Sequence, residues 1–405
     1  MKTLNNKIII IKRGGRILTA LTGGGRVIQL NLEEEESGSL LGNIYIAKVN
    51  NVAKNIGAAF LDLGGGQTAY YSLTENVPHL LARDPSDSQG QTLRPGDEIL
   101  VQVSRDAVKT KDPVVTSHLS FTGRFCVVTA GKFHIGFSSK ISDAEWKNRL
   151  RTILSEEKDS DFGIIIRTNA RKASDSEILA ELRELKEQYR RLLREAPFRT
   201  CYTLLYEAVP SFLASLRDTY QDFMEEIVTD DPGIYRQIQE YLEKHQPEDT
   251  DRIRLYRDPL ISLGKLYSIE KAVEEALQKK VWLKSGGYLV IEPTEAMTVI
   301  DVNSGKYTGR KDQRDTILKT NLEAAREIAY QMRLRNLSGI ILIDFIDMTA
   351  EEDRSQLMDT FTAYCIQDPI KTTVVDMTRL GLVEVTRKKI RKPFREQTEK
   401  GEHKS

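Results

Sequence analysis

The sequence predicts a multidomain α+β protein with a β-barrel in its N-terminal half and an α/β unit in its C-terminal half. Its 405 residues exceed what one hydrophobic core usually holds and predict roughly two to four domains. Residues 38–121 alternate short apolar runs with glycine, proline and polar turns, which is typical of an all-β region. Further along, residues 315–335 have apolar side chains at helical spacing and lie between two apolar runs. A helix that connects two strands in this way indicates that the strands are parallel.

Composition and charge limit the function classes. Hydrophobic residues are 40% of the sequence, charged residues are 29%, and no apolar run reaches the ~18 residues of a membrane span. The isoleucine run at 8–11 is too short for a signal peptide, so we expect a cytoplasmic location. Because the formal net charge is zero, any nucleic-acid site must be local. Cys126, Cys201 and Cys365 form no zinc pattern and are expected to be small buried hydrophobes.

The N-terminal half predicts strands separated by turns. Strands are expected at 7–11 and 27–32, and the glycines between them lack the GxGxxG spacing of a dinucleotide-binding loop. Five short strands are typical of an OB-fold barrel, a common platform for single-stranded nucleic acid. These five are predicted at 43–49, 58–63, 69–71, 98–103 and 114–119.

The predicted barrel carries residues suited to an unpaired nucleotide strand. Aromatic rings stack on bases, and cations beside them follow the phosphates. The same rings could equally fill the barrel interior, and spacing alone does not separate the two interpretations. The candidates are Phe60, Tyr70, Tyr71, Arg105, Lys109 and Lys111.

The middle of the chain predicts strands followed by helices. Ser174-Asp175-Ser176-Glu177 has the pattern of a capping box and opens a long amphipathic helix. The remaining predicted elements are strands at 125–130, 163–167, 288–292 and 297–303, and helices at 209–225 and 268–281.

Two aspartates at strand ends carry the clearest chemical signal. Asp301 and Asn303 share one face of the predicted strand 297–303, and Asp344 ends the apolar run 339–344. Hard oxygen ligands on two neighbouring strands suit magnesium, which adds phosphate oxygens to one or two carboxylates, so they indicate phosphodiester chemistry. An aspartate at a strand end more often starts a turn or caps a helix. The capping pattern Thr349-Ala350-Glu351-Glu352 makes that role unnecessary for Asp344.

Five segments resemble motifs of the RNase E/G family of bacterial endoribonucleases, and they occur in the order found in that family. Several matches in order are more specific than any one of them. The segments are Asn43-Ile44-Tyr45-Ile46-Ala47-Lys48-Val49, Ala58-Ala59-Phe60-Leu61-Asp62, Ile166-Arg167-Thr168, Thr320-Asn321-Leu322-Glu323-Ala324-Ala325 and Asp344-Phe345-Ile346-Asp347-Met348.

The resemblance implies a fold in which an OB-fold barrel is inserted in a split RNase H-like domain and a DNase I-like α/β catalytic domain follows. The implied boundaries are 1–37 and 214–280 for the RNase H-like domain, 38–121 for the OB-fold, 122–213 for a 5′-phosphate sensor, 281–393 for the catalytic domain and 394–405 for a basic tail.

The resemblance also implies residue roles. Asp301 and Asp344 resemble the magnesium ligands of the family, and Asn303 resembles the residue that hydrogen-bonds the first aspartate. Phe60, Tyr70 and Lys111 match its RNA-contacting positions, and Gly123, Val127, Arg167, Thr168 and Lys371 match its site for a 5′-monophosphate. The alternative for Arg167 is an ion pair with a surface carboxylate.

The chain departs from the family at two places. The position at which the family carries a second sensor arginine falls near Ser139, beside Lys140, so that arginine is missing here. At another sensor position this chain has Lys371. Lysine keeps the positive charge but lacks the two-pronged guanidinium of arginine. The cysteine pair that shares zinc between protomers is absent from 391–405, so a homo-oligomer is not expected to form through a shared zinc.

The residues and the resemblance together predict a magnesium-dependent endoribonuclease. It is expected to cut single-stranded RNA, including mRNA and rRNA precursors, to 3′-hydroxyl and 5′-phosphate products. A metal-free ribonuclease usually needs histidines, and none of the five falls within 281–393. The alternative is a non-catalytic RNA-binding adaptor of the same fold, which has no need for the set of Asp301, Asn303 and Asp344. A translation-associated OB-fold protein accounts for 38–121 but not for the α/β half.

Overall fold

A computed structural model of the protein describes residues 6–35, 39–84, 92–107, 112–131, 133–157, 162–219, 224–305 and 313–399. These residues form two compact units. Unit 1 contains the described residues before 36 and after 223, and unit 2 contains those between. Unit 2 is therefore an insertion in the chain of unit 1. The candidates Lys109 and Lys111 lie outside the described residues.

Unit 1 begins with an antiparallel meander of three strands. Gly14 and Gly15 form its first turn with φ of +56° and +74°, a conformation that glycine adopts without steric cost. Two of the strands were predicted, and the middle one was not. Nearly all of its side chains are buried, so it lacks the alternation of a half-buried strand. The strands are β1 (Asn6–Arg13), β2 (Arg16–Gly23) and β3 (Arg26–Glu34).

Unit 2 contains a closed barrel and a second, four-stranded sheet. Its elements are β4 (Ile44–Ala53), β5 (Ala58–Asp62), β6 (Thr68–Ser72), β7 (Glu98–Arg105), β8 (Val114–Thr116), β9 (Ser120–Thr122), β10 (Cys126–Ala130), β11 (His134–Phe137), α1 (Ala144–Glu156), β12 (Phe162–Ile166), α2 (Asp175–Glu195), β13 (Leu204–Tyr206) and α3 (Ser211–Asp218).

The barrel has the strand order β4-β5-β6-β8-β7 and closes because β7 also pairs with β4. A closed five-stranded barrel is consistent with the predicted OB-like fold. The predicted strand 114–119 was too long, because β8 ends at Thr116 and β9 belongs to the second sheet, of order β11-β12-β10-β9. The capping box at Ser174 and Glu177 is confirmed at the start of α2.

The rest of unit 1 extends the first sheet and forms another. Its elements are β14 (Met224–Thr229), α4 (Pro232–His245), β15 (Ile253–Leu255), α5 (Leu263–Leu266), α6 (Ile269–Leu277), β16 (Lys280–Trp282), β17 (Tyr288–Pro293), β18 (Met297–Asn303), α7 (Gln313–Leu334), β19 (Gly339–Asp344), α8 (Glu351–Ile366), β20 (Thr372–Met377), β21 (Leu382–Arg387) and α9 (Phe394–Glu399).

Three predictions in these regions were wrong. The helix predicted at 209–225 ends at Asp218, and the chain from Met224 forms β14, whose β-branched residues pair in parallel with β1. The helix predicted at 268–281 ends at Leu277, before β16. Helix α8 is capped at Ala350 without a side-chain hydrogen bond, so Thr349 is not its N-cap.

The sheet of order β16-β17-β18-β19-β21-β20 has one covered face and one open face. Side chains such as Ile300 and Ile343 are fully buried in a core shared with α7 and α8. Their neighbours alternate to the opposite face, where Val299 and Ile340 are exposed. This exposed side is called the open face below. No helix among the described residues is both long enough and apolar enough to span a bilayer.

Candidate active site

The two strand-end aspartates are direct neighbours. Strands β18 and β19 are parallel, as predicted, and Asp301 pairs with Asp344 in their register. Residues paired across adjacent strands are about 5 Å apart and point to the same face of a sheet. Both carboxylates therefore lie on the open face, where Asp301 is half-buried and Asp344 is exposed. Asp301 and Asp344 are called the carboxylate pair below.

The carboxylate pair has an amide partner but no counter-cation among the described residues. The Asn303 Nδ2 atom donates a hydrogen bond to Asp301 Oδ2 at 2.5 Å. Partial burial raises the pKa of Asp344, and the negative charges of Asp301 and Asp347 raise it further. The like charges disfavour one another, which a bound cation would relieve.

Helix α7 fixes the backbone on both sides of the carboxylate pair. The Asn321 side chain is fully buried; its Nδ2 donates to the carbonyl of Ile346 at 2.8 Å, and its Oδ1 accepts from the Ile346 N–H at 3.1 Å. The Glu323 carboxylate accepts the backbone N–H groups of Lys284 and Ser285, in the turn before β17. The sequence placed these residues in a family motif but predicted no contact for them.

The donors at the carboxylate pair fit magnesium better than a transition metal. Within the described ranges, no group of three or more His, Cys, Asp or Glu side chains is placed to hold a metal ion. Zinc usually requires three or four such ligands, whereas magnesium is held by one or two carboxylates, with water and phosphate oxygens completing its shell.

The barrel separates the aromatic candidates into two groups. Tyr71 is fully buried, and its hydroxyl is 2.8 Å from both His79 Nδ1 and Ser117 Oγ, so it belongs to the barrel core. Phe60 and Tyr70 pair across β5 and β6 as half-buried rings, with centroids 6.3 Å apart and an interplanar angle of 79°. Two half-buried rings side by side remain available for stacking.

Of the cations predicted to bind RNA on the barrel, the structure describes Arg105 but not Lys111. Arg105 is exposed at the end of β7, where it can reach a phosphate. Lys111 is not among the described residues, so its predicted role stays a prediction.

The guanidinium of Arg167 is engaged by two oxygen acceptors within unit 2. Its Nη1 donates to the carbonyl of Gly123 at 2.6 Å, and its Nη2 donates to Asp218 Oδ1 at 2.7 Å. Arg217 donates to the same carboxylate oxygen at 2.9 Å. Burial alone raises the pKa of Asp218, but the two arginines hold that pKa below its usual value. Gly123, Arg167, Arg217 and Asp218 are called the Arg167 cluster below.

The carboxylate of Glu181 holds the loop that contains Gly123. Glu181 of α2 accepts the backbone N–H groups of Arg124, Phe125 and Cys126 at 2.7, 2.8 and 2.9 Å. A Cβ atom at Gly123 would overlap this carboxylate, so a larger residue at this position would have to displace the Glu181 side chain. Burial raises the pKa of the Cys126 thiol, and the charge of Glu181 raises it further. The sequence did not predict this role for Glu181.

The other predicted sensor residues are distributed over both units. Thr168 follows Arg167 directly, and its Oγ1 is 3.1 Å from Ser138 Oγ. Val127 lies in β10, half-buried. Lys371 is exposed just before β20 and belongs to unit 1, whereas the others belong to unit 2.

Comparison with known proteins identifies relatives over most of the chain. The model of the ribonuclease E/G family matches residues 120–390. Ribonuclease G of Escherichia coli is 33% identical over 385 residues, which cover 92% of this chain and 77% of that protein. Ribonuclease G of Haemophilus influenzae is 34% identical with the same coverage, and ribonuclease E of Synechocystis sp. is 34% identical over 86% of this chain and 52% of its own length.

Proposed function

The chain belongs to the ribonuclease E/G family, and from this premise we propose that it is an endoribonuclease whose cleavage site is the carboxylate pair. The observation that carries the proposal is the register of Asp301 with Asp344 on the open face, with Asn303 bonded to the first of them. We also propose that the chain has the RNase H-like and DNase I-like domain arrangement that the family resemblance implies.

The carboxylate pair is the proposed site for magnesium. When bound, magnesium polarises the phosphate and lowers the pKa of an attacking water. Asn303 orients the carboxylate of Asp301, and Asn321 holds the backbone that follows Asp344. Because water attacks in place of the ribose 2′-hydroxyl, the products carry a 3′-hydroxyl and a 5′-phosphate.

The barrel is the proposed platform for the single strand. Phe60 and Tyr70 offer rings for base stacking, and Arg105 offers a cation for the backbone. Lys111 is proposed as a further phosphate contact. The substrates are proposed to be mRNA and rRNA precursors in the cytoplasm.

The Arg167 cluster is the proposed binding site for a 5′-monophosphate, with Thr168 and Val127 as further contacts. The role of Lys371 stays a prediction from the sequence, because it belongs to the other unit. Arginine matches phosphate oxygens with a planar fork. That fork is already engaged by Gly123 and Asp218, so a phosphate must replace the Asp218 carboxylate.

The proposal is tested with purified protein and an end-labelled, unstructured RNA. We expect internal cleavage with magnesium, arrest by EDTA and recovery when magnesium is restored, with end-group analysis giving 3′-hydroxyl and 5′-phosphate termini. Cleavage that persists in EDTA, or that leaves 2′,3′-cyclic phosphates, contradicts the mechanism. Tight binding without any cleavage supports the RNA-binding adaptor instead.

A further inference from the structure

An exposed aromatic cluster lies on the strands beside the carboxylate pair. Trp282 is 65% exposed, and its ring centroid is 5.4 Å from that of Tyr288 at an angle of 61°. The Lys280 Nζ atom is 4.1 Å from the centroid of Trp282 and 3.5 Å from that of Tyr288. Lys280, Trp282 and Tyr288 are called the Trp282 cluster.

The strand register places the Trp282 cluster on the open face. Trp282 pairs with Tyr288, and Tyr288 pairs with Asn303. Paired residues on neighbouring strands point to the same face, so these side chains project to the same side as Asn303 and the carboxylate pair. Strand β16 lies two strand spacings from β18, about 10 Å.

We propose that the Trp282 cluster binds an unpaired RNA base close to the scissile phosphate and thereby contributes to the affinity for RNA at the cleavage site. This inference rests on the proposed endoribonuclease function. A ring with a free face accepts any base by stacking, and the large surface of tryptophan makes it a strong partner.

Charge also favours RNA as the occupant. The open face carries Asp301 and Asp344, which repel a polyanion until a cation is bound. Lys280 places a positive charge among the rings of the same face, where it can offset that repulsion and contact a phosphate next to the stacked base. A nucleotide joins an aromatic base to an anionic phosphate, and the cluster offers a partner for each.

The experiment uses Trp282 as its own reporter. The chain has two tryptophans, so Trp146→Phe leaves Trp282 as the single emitter. We expect saturable quenching when this variant is titrated in EDTA with a short unstructured RNA, and much weaker quenching with the same strand made abasic. Quenching that is equal for both strands overturns stacking.

Cleavage kinetics complete the test, and they use protein in which Trp146 is present. In single-turnover cleavage with magnesium, Trp282→Ala should raise the RNA concentration at half-maximal rate about 10-fold, with the maximal rate within about 2-fold of wild type. Trp282→Phe should recover most of the affinity. The control is Ile366→Ala, which removes a 67% exposed side chain at the end of α8, the helix on the covered side of the sheet.

The outcomes separate the two proposals. An unchanged half-maximal concentration for Trp282→Ala overturns the role of the cluster while leaving the proposed function intact. Absence of any cleavage by wild type overturns the proposed function, and the quenching titration still tests the cluster. If Trp282→Ala changes only the oligomeric mass in sedimentation, the cluster is a protein interface and the inference is wrong.

Discussion

The carboxylate pair and the Arg167 cluster handle charge in opposite ways. Asp301 and Asp344 lie side by side with no cation paired to either among the described residues, and the pKa of Asp344 is raised. Arg167, in contrast, is matched by Asp218, whose pKa is lowered. The carboxylate pair is stabilised when a cation binds. The Arg167 cluster can bind a phosphate only by giving up the Asp218 carboxylate. We therefore expect large effects from changes at the first and modest effects at the second.

The strongest test of this comparison removes a charge from the carboxylate pair. Asp301→Asn or Asp344→Asn should lower the single-turnover rate about 1,000-fold or more, because a lost metal ligand forfeits several kcal/mol of transition-state stabilisation. Thermal unfolding should change little. The control is Asp376→Asn, an exposed acid of β20 in the same sheet. Near-normal magnesium-dependent turnover by either variant would show that the pair is not the cleavage site.

The second test loosens the backbone beside the carboxylate pair. Asn321→Ala leaves the N–H and the carbonyl of Ile346 without their partner, which should reduce the free energy of unfolding by about 2–3 kcal/mol. Urea unfolding measures this change. Asn148→Ala, at an exposed position on α1, should shift it by less than about 0.5 kcal/mol. Equal stability of the two variants contradicts the bracing role of Asn321.

The third test concerns the Arg167 cluster. We expect RNA with a 5′-monophosphate to be cut faster than the same RNA with a 5′-hydroxyl, and Arg167→Ala to reduce this ratio by about 10-fold, as a charge-assisted hydrogen bond is worth roughly 1.5–3 kcal/mol. Competition between the two substrates measures the ratio. Arg171→Ala removes a nearby cation that pairs with Asp143 and should leave the ratio unchanged. Equal rates for both 5′ ends on wild type would mean that this cluster senses no phosphate.

The smallest expected effect is an increase in the preference for RNA with a 5′-monophosphate. Asp218→Asn removes the anion that occupies Arg167, so the preference for a 5′-monophosphate should rise about 3-fold, in line with roughly 0.2–1 kcal/mol for a partly exposed ion pair. Asp175→Asn breaks the Arg149 pair on the same unit and serves as the control. A fall in the preference would show that Asp218 positions Arg167 and does not compete with phosphate.

Local patterns predicted the parts of the molecule that depend on neighbouring residues. The strand 297–303 was predicted with its observed bounds, and the crossover helix and the parallel direction of the two acid-bearing strands followed from periodicity. The register that pairs Asp301 with Asp344 was not predicted. Strand β2 was missed because burial on both faces removes the alternation by which a strand is recognised.

Contacts between distant residues could not be predicted in this way. Arg167 and Asp218 are 51 positions apart, and Glu181 reaches a loop 55 to 57 positions away. Nothing near either residue in the sequence specifies its partner. The Trp282 cluster was missed for a different reason: its residues are close in sequence, but only the register of the strand pairing brings Trp282, Tyr288 and Asn303 into one row.

The insertion of unit 2 affects the order in which the chain can fold during synthesis. Strand β1 lies inside its sheet, between β2 and β14, and Ile8, Ile9, Ile10 and Ile11 are all buried there. The meander leaves the ribosome early, but β14 follows only after the whole inserted unit has been translated, a delay of about 10–40 s at 5–20 residues per second. During that interval β1 is an apolar edge strand open to pairing with other chains. We therefore expect aggregation through this edge to be most frequent before β14 is synthesised.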